Sequence, residues 1–197
     1  MLDDLIEQVK AAAANKKQLR VVGGDSKAFY GHDLSHLPAL ETEQLNQVIQ
    51  YEPSELVVQV AAGCPLKQLT ELLDAENQML GFDPADFGGS TIGGAIASGF
   101  SGSRRPFLGA GRDFMLGIGL IDGKGDHLQF GGQVMKNVAG YDVTRLLAGS
   151  LGCLGVMTEI SLKVLPKHEA EMSVRKPVNR DDALGTMRRL SERPETS

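Results

Sequence analysis

Apolar residues recur along the chain with two periods, and this pattern predicts both helices and strands. A spacing of three or four residues near the start of the chain, and again after Pro65, predicts amphipathic helices. Shorter stretches rich in β-branched residues, bounded by glycine, proline or aspartate, predict strands. Helices are predicted over residues 2–15, from Pro65 to Leu73, over residues 93–98, and after a capping Asp142. Strands are predicted over residues 19–22, 46–51, 55–62, 114–121, 127–130 and 155–165.

These elements mix helices with hairpins, so the fold class is α+β. Towards the C-terminus the composition becomes more charged, and residues 172–176 predict one strand. A helix capped by Asp181 or Asp182 is expected next, with three residues inward: Leu184, Met187 and Leu190. One strand and one helix cannot close a core, because each needs a second layer. We therefore expect one domain over residues 1–168 and an incomplete second domain over residues 169–197.

Composition and charge narrow the class of function. The chain has 197 residues and a formal net charge of -5, so it lacks the basic surplus that nucleic-acid binding requires. It contains two cysteines, too few for a secreted disulfide scaffold, and no CxxC or HExxH motif, so we expect no metal site. Neither a secretion signal nor a long apolar segment is evident, so we expect a cytoplasmic protein, for which membrane association through partners stays open.

Glycine is enriched, with 24 residues, and it lies in three segments that could carry chemistry. Residues 23–27 could form a concavity of backbone N–H groups for an anion, or an ordinary tight turn. In residues 88–99, Gly93 and Gly94 begin a helical run whose N–H groups would suit a phosphate, which we favour over a flexible linker. Residues 149–159 could edge a flat ligand or form a sharp turn into a strand. Neither a P-loop nor a Rossmann fingerprint is present.

Five segments in this order resemble the PCMH-type FAD-binding domain of the vanillyl-alcohol-oxidase family. Within that family, the chain is similar to the FAD-binding subunits of bacterial glycolate oxidases. The segments that carry the resemblance are residues 22–31, 91–99, 111–117, 136–142 and 149–159. The resemblance implies a fold of two small α+β subdomains with FAD between them, followed by the start of a cap domain.

The resemblance also implies which residues hold the cofactor. The first loop and the Thr-Ile-Gly-Gly loop would hold the FAD pyrophosphate, Ala97 and Ser98 would lie along the flavin, and Val156 would offer backbone contacts to the nucleotide. The full set is Gly23, Gly24, Asp25, Ser26, Lys27, Thr91, Ile92, Gly93, Gly94, Ala97, Ser98 and Val156. Some members bind flavin covalently through a histidine in the first loop. This loop reads Gly-Gly-Asp-Ser-Lys, so non-covalent FAD is expected.

The activity implied by the resemblance is oxidation of a 2-hydroxy acid such as glycolate. Electrons would pass through FAD to a partner subunit that carries iron–sulfur clusters. The family's catalytic residues lie in the cap domain, so none is assigned. Two alternatives remain: a flavin-binding or assembly module without its own substrate chemistry, and the flavoprotein subunit of another complex, such as a molybdenum hydroxylase.

Overall fold

The computed structural model of the chain describes residues 1–132 and 141–192. The helices are α1 (Leu2–Ala14), α2 (Leu66–Ala75), α3 (Ile92–Ser98), α4 (Arg105–Leu108), α5 (Val143–Leu147) and α6 (Arg180–Ser191). The strands are β1 (Arg20–Val22), β2 (Ala39–Glu41), β3 (Val48–Glu52), β4 (Val57–Ala61), β5 (Gln78–Met79), β6 (Met115–Ile121), β7 (His127–Gly131), β8 (Val156–Lys163) and β9 (Leu165–Pro166). Short 3₁₀ turns precede β4 and β6.

A five-stranded antiparallel sheet forms the centre of the molecule, in the order β3-β4-β8-β6-β7. The middle strand β8 pairs on both sides, with Ile160 opposite Val60 of β4 and Ile118 of β6. Residues of this strand are mostly buried, as expected for the centre of a sheet. The hairpin between β6 and β7 turns at Asp122, whose carboxylate accepts hydrogen bonds from two backbone N–H groups of the turn.

The main core lies where α2 and α3 pack with this sheet. Leucines at helical spacing give α2 its buried side, and Leu69 and Leu73 are fully buried there. In α3, Ile92 and Ile96 occupy the same core. Truncation of a buried leucine or isoleucine of this kind costs about 2–5 kcal/mol. The core therefore fixes the start of α3, and with it the second glycine-rich segment.

A smaller layer holds the first glycine-rich segment. Strands β1 and β2 pair in parallel, with Val21 opposite Leu40, and α1 packs on them through Leu5 and Val9. This second cluster also contains residues of the central sheet, among them Ile121. Strand β1 ends at Val22, so the first glycine-rich loop leaves directly from a strand that is tied to the sheet.

The predicted elements before residue 166 are confirmed within a few residues, but three short ones were missed. Strands β2 and β5 and helix α4 have two to four residues each, too short for periodicity to reveal. Asp142 caps α5 as predicted, because its carboxylate accepts a hydrogen bond from the Arg145 N–H. In the fourth segment of the resemblance, residues 136–140 lie outside the described residues.

The C-terminal expectations are partly wrong. Residues 172–176 form no strand, and α6 is preceded by Asn179 rather than capped by Asp181 or Asp182. Its apolar residues do not face inward: Leu184 is 79% exposed and Met187 64%. Among the described residues no layer packs on α6, so its apolar side has nothing to bury against. No helix in the described ranges is long and apolar enough to cross a bilayer.

Candidate functional site

The first and second glycine-rich segments meet directly. A Cβ atom on Gly24 would lie 1.6 Å from the carbonyl oxygen of Gly89, and one on Gly23 would lie 2.5 Å from Oγ1 of Thr91. Neither glycine can therefore carry a side chain without moving the opposite loop. The structure thus places the two predicted segments, more than 60 residues apart in sequence, in one cleft.

Ser90 connects the same two loops through its side chain. It is 2% exposed, and its Oγ lies 2.9 Å from Ser26 Oγ. The Lys27 ammonium donates to Ser90 Oγ at 3.0 Å, and the Phe87 N–H donates to it at 3.2 Å. Ser90 was absent from the predicted site residues. Its two side-chain partners, Ser26 and Lys27, come from a loop distant in sequence, so only its place beside a glycine pair could have indicated its role.

The start of α3 differs from the sequence-based expectation. Its first three N–H groups are already used inside the protein, so they are not free for a phosphate. The donors and acceptors are Ile92 to the Cys64 carbonyl (2.9 Å), Gly93 to the Ala62 carbonyl (2.7 Å) and Gly94 to Thr91 Oγ1 (3.1 Å). The expectation that Gly93 and Gly94 present N–H groups to an anion is therefore wrong. Gly93 is buried because α3 packs closely against the chain at Ala62.

Free donors lie instead in the loops that precede α3. The backbone N–H groups of residues 24–27, and those of Gly89 and Thr91, donate to no acceptor within residues 1–132 and 141–192. Asp25 has a φ of 46°, in the left-handed region, which turns successive N–H groups of the first loop to one side. These N–H groups belong to the two loops that meet at Gly24 and Gly89, and unpaired backbone donors in such loops suit an anionic group such as a diphosphate. The residues present therefore fit the pyrophosphate of FAD.

The charged side chains of the first loop support this assignment. The Asp25 carboxylate accepts a hydrogen bond from Arg20 at 2.8 Å, so its charge is paired. The Lys27 Nζ lies 5.4 Å from the centre of the Phe87 ring. Partial burial of this ammonium lowers the pKa of Lys27, while the nearby Asp86 carboxylate acts in the opposite direction. Lys27 therefore contributes a partly desolvated cation at the mouth of the cleft.

The third segment meets the end of α3. The N–H groups of Gly149 and Leu151 donate to the carbonyls of Ile96 and Ala97, at 3.0 and 2.9 Å. A Cβ on Gly152 would contact Val21 of β1. All three glycine-rich segments therefore border one region of the molecule. The predicted residues Ala97 and Ser98 are half-buried at this junction, and the Ser98 hydroxyl donates to the Ala95 carbonyl.

Val156 lies at the start of β8, opposite Ile121, with its side chain in the smaller core. Only its backbone could reach a ligand, as the sequence-based hypothesis requires. Contact between Val156 and a nucleotide remains a prediction.

The two cysteines differ in exposure. Cys153 is an exposed free thiol, whereas Cys64 is buried, and burial raises the pKa of the Cys64 thiol.

A cluster of aromatic side chains beside the cleft was also missed from sequence. Phe29 meets Phe87 edge-on at 5.4 Å between ring centres, and Tyr30 lies 4.7 Å from Phe100. Phe87 and Phe100 are 6.0 Å apart. Phe29 is 67% exposed although it belongs to this cluster. The rings join the first loop to the chain on both sides of α3, and each pair stabilises that contact by about 0.5–1.5 kcal/mol.

A separate groove of about 400 Å³ lies on another part of the molecule, between α2, β5 and residues 167–171. None of the predicted site residues lines it. Its charged residues are largely paired with one another, including Arg104 with Glu171 and Lys167 with Asp74. The glycine-lined cleft, with its free donors, is therefore the stronger candidate for the functional site. In the described ranges no group of three or more histidine, cysteine, aspartate or glutamate residues could hold a metal.

Comparison with protein families decides the cofactor. Residues 2–131 match a family described as the FAD binding domain. The chain belongs to this FAD-binding family. The cofactor predicted from the resemblance, FAD, is confirmed at this level.

Curated relatives and solved structures agree with this assignment. The chain is 45% identical over 181 residues to the glycolate oxidase subunit GlcE of Escherichia coli (strain K12), covering 91% of this chain and 51% of that protein. It is 32% identical over 147 residues to a D-lactate dehydrogenase of Anaerostipes hadrus, covering 73% of this chain and 30% of that protein. An alkyldihydroxyacetonephosphate synthase structure superimposes with a TM-score of 0.68 at 23% identity, covering 85% of this chain and 31% of that one.

These comparisons confirm the α+β PCMH-type FAD-binding fold and the similarity to glycolate oxidase subunits. The chain spans about half the length of the GlcE relative and a smaller share of the other two.

Proposed function

We propose that this chain is the FAD-binding part of a subunit that oxidises a 2-hydroxy acid, with glycolate as the first candidate substrate. The observation that carries the proposal is the cleft between two glycine-rich loops, whose free N–H groups suit a diphosphate. The chemistry of the relatives supports it, because glycolate and lactate, named in two of them, are both 2-hydroxy acids. Bound FAD supplies the acceptor for the two electrons that leave the substrate.

In this proposal the chain's own residues bind and orient the cofactor. The N–H groups of residues 24–27, Gly89 and Thr91 donate to the pyrophosphate oxygens, and the Lys27 ammonium neutralises part of their charge. The close contact between Gly24 and Gly89 sets the width of the cleft. Ala97 and Ser98, at the end of α3, lie along the flavin side, and Val156 contributes its backbone.

We also propose that FAD is held without a covalent bond. Some family members carry the attaching histidine in the first loop, which here reads Gly-Gly-Asp-Ser-Lys, and the carboxylate of Asp25 in it is paired with Arg20. Precipitation of the loaded protein with acid should leave the yellow colour in the supernatant. Colour that stays in the pellet would show a covalent link and contradict this proposal.

The wider assembly is proposed as well. The GlcE relative is named as a subunit, which supports a complex of several chains. A partner with iron–sulfur clusters would accept electrons from the flavin. Residues 169–197 would begin the cap domain, a boundary supported by the lack of buried residues in α6.

Both described cysteines are free, which supports a reducing compartment such as the cytoplasm, with membrane contact through a partner.

Anaerobic spectroscopy tests the proposed reaction. The protein, loaded with FAD and purified with its native partners, is mixed with glycolate or D-lactate, and the flavin absorbance is followed. Bleaching by a 2-hydroxy acid, with succinate as a control, supports the proposal. Yellow protein that only dithionite reduces would instead favour a binding or assembly module, and protein that takes up no FAD would contradict both.

A further inference from the structure

The side-chain hydroxyl of Ser90 lies within hydrogen-bond distance of three groups: the Ser26 hydroxyl, the Lys27 ammonium and the Phe87 N–H. A hydroxyl oxygen accepts two hydrogen bonds and donates one. Both acceptor positions of Ser90 are used, by the Phe87 N–H and the Lys27 ammonium. The Ser90 proton must therefore point to Ser26 Oγ, 2.9 Å away. This assignment fixes the direction of every hydrogen bond around Ser90.

The direction of these hydrogen bonds determines which donors of the first loop are available to a ligand. Because Ser26 accepts from Ser90, its own proton is left over, and the Ser26 hydroxyl donates to no acceptor in the described part of the chain. Lys27 donates to Ser90 at 3.0 Å and approaches Ser26 at 3.5 Å, which leaves at least one N–H of its ammonium unused. Ser26 and Lys27 are thus both left as donors, beside the free N–H groups of the cleft.

We infer that Ser90 is a positioning residue that aims the Ser26 hydroxyl and the Lys27 ammonium at the anionic part of the cofactor. The inference rests on the proposed FAD site and adds to it the residue that makes the cleft selective for an anion. The hydroxyl of Ser90 is fully used by partners within the protein, so it acts on the ligand through Ser26 and Lys27. A serine that only filled space would not need its hydroxyl.

The charged surroundings of Lys27 provide a readout specific to this role. Burial lowers the pKa of Lys27, and the Asp86 carboxylate opposes this effect from the second loop. On the first loop, Asp25 is paired with Arg20. The Ser90 oxygen stabilises the charged ammonium by accepting a hydrogen bond from it. Removal of that oxygen should lower the pKa of Lys27 further, so FAD binding should weaken at a lower pH than in the unmodified protein.

The experiment measures the dissociation constant of FAD between pH 6 and pH 10, by quenching of flavin fluorescence, for the full chain and its variants. We expect Ser90→Ala to weaken binding about 10-fold at neutral pH, the effect of losing a hydrogen bond to a charged group. We also expect the alkaline loss of affinity to move to lower pH. Ser161→Ala, at an equally buried serine of β8, is the matched control and should behave as the unmodified protein.

Measuring Ser90→Ala in a second protein, which lacks the Lys27 ammonium, distinguishes a positioning role of Ser90 from a packing role. In a Lys27→Met protein, Ser90→Ala should change the dissociation constant of FAD much less, because the ammonium that Ser90 orients is gone. Any change due to titration of FAD itself appears in this variant too. An equal loss in both backgrounds with an unshifted pH profile would overturn the inference, as would a Ser90→Ala variant that binds like Ser161→Ala. Failure of the unmodified chain to bind FAD would overturn the cofactor site itself.

Discussion

Substitution of Gly24 by alanine tests the contact on which the cleft depends. The added Cβ would lie 1.6 Å from the Gly89 carbonyl oxygen and 2.8 Å from its carbonyl carbon, whereas ordinary contacts begin near 3.4 Å. Since the obstacle is backbone rather than a flexible side chain, the loops must separate by about 2 Å. Such a shift would open the cleft and misalign its N–H groups.

The structure sets the size of the effect. Forcing an extra methyl group into a close contact costs about 1–3 kcal/mol. For a chain of this size each kcal/mol lowers the melting temperature by about 2–4 °C, so a decrease of roughly 2–12 °C is expected. Cofactor binding should suffer more, because a 2 Å shift lengthens several charge-assisted hydrogen bonds, each worth about 1.5–3 kcal/mol. A loss of FAD affinity of at least about 100-fold follows from two such bonds.

Thermal unfolding and fluorescence titration with FAD measure the two effects separately. Gly123→Ala is the matched control, because a Cβ there meets nothing within 4 Å and its φ is not in the left-handed region. The control should change neither the melting temperature nor the affinity. If Gly24→Ala behaved like Gly123→Ala, the two loops would not be in contact and the assignment of the site would fail.

Four further predictions concern Gly94, Gly93, the two cysteines and Asp142. Gly94→Asp should abolish FAD binding, because the added carboxylate would lie beside Thr91 in the cleft and repel the pyrophosphate. Its circular dichroism spectrum should stay native, since a Cβ at Gly94 meets only Thr91 Oγ1. Gly93→Asp should instead unfold the protein, since a Cβ there lies 2.7 Å from the carbonyl oxygen of Ala62. Retained FAD in Gly94→Asp would contradict the first. A thiol reagent at pH 8 should modify Cys153 at once and Cys64 only after unfolding, because burial raises the pKa of Cys64; rapid modification of both would disprove this. Asp142→Ala should lower the free energy of unfolding by about 1 kcal/mol through loss of the cap on α5, as measured in urea, and no change would refute the cap's role.

Periodicity and turn residues predicted most of the fold because those signals are local. The alternation in β4 and the leucine spacing in α2 each reflect a single buried side, and the apolar content of β8 reflects a strand buried at the centre of the sheet. Strand β2 lacked such a signal because three residues carry too little pattern, and its partner β1 lies about 19 positions away. The apolar face of α6 predicted burial, but burial depends on a partner layer that local sequence does not describe.

The site was predicted at the level of segments rather than atoms. Glycine pairs showed where backbones approach closely, and the structure joins those segments. The sequence did not reveal that the approach at Gly24 is to another backbone, or that Thr91 and Ala62 use the N–H groups of α3. Ser90 and the aromatic cluster were missed for a related reason. Their roles arise from pairs distant in sequence, and a single residue's type does not encode such pairs.

The meeting of Gly24 with Gly89 has a genetic consequence. Both partners are already the smallest amino acid, so a larger residue on one side cannot be accommodated by trimming the other. Suppressors of Gly24→Ala, in a selection for flavin-dependent growth, must therefore re-route the chain on either side of the contact. Glycine should therefore be retained at both positions among related sequences, while the residues of the surrounding loops vary.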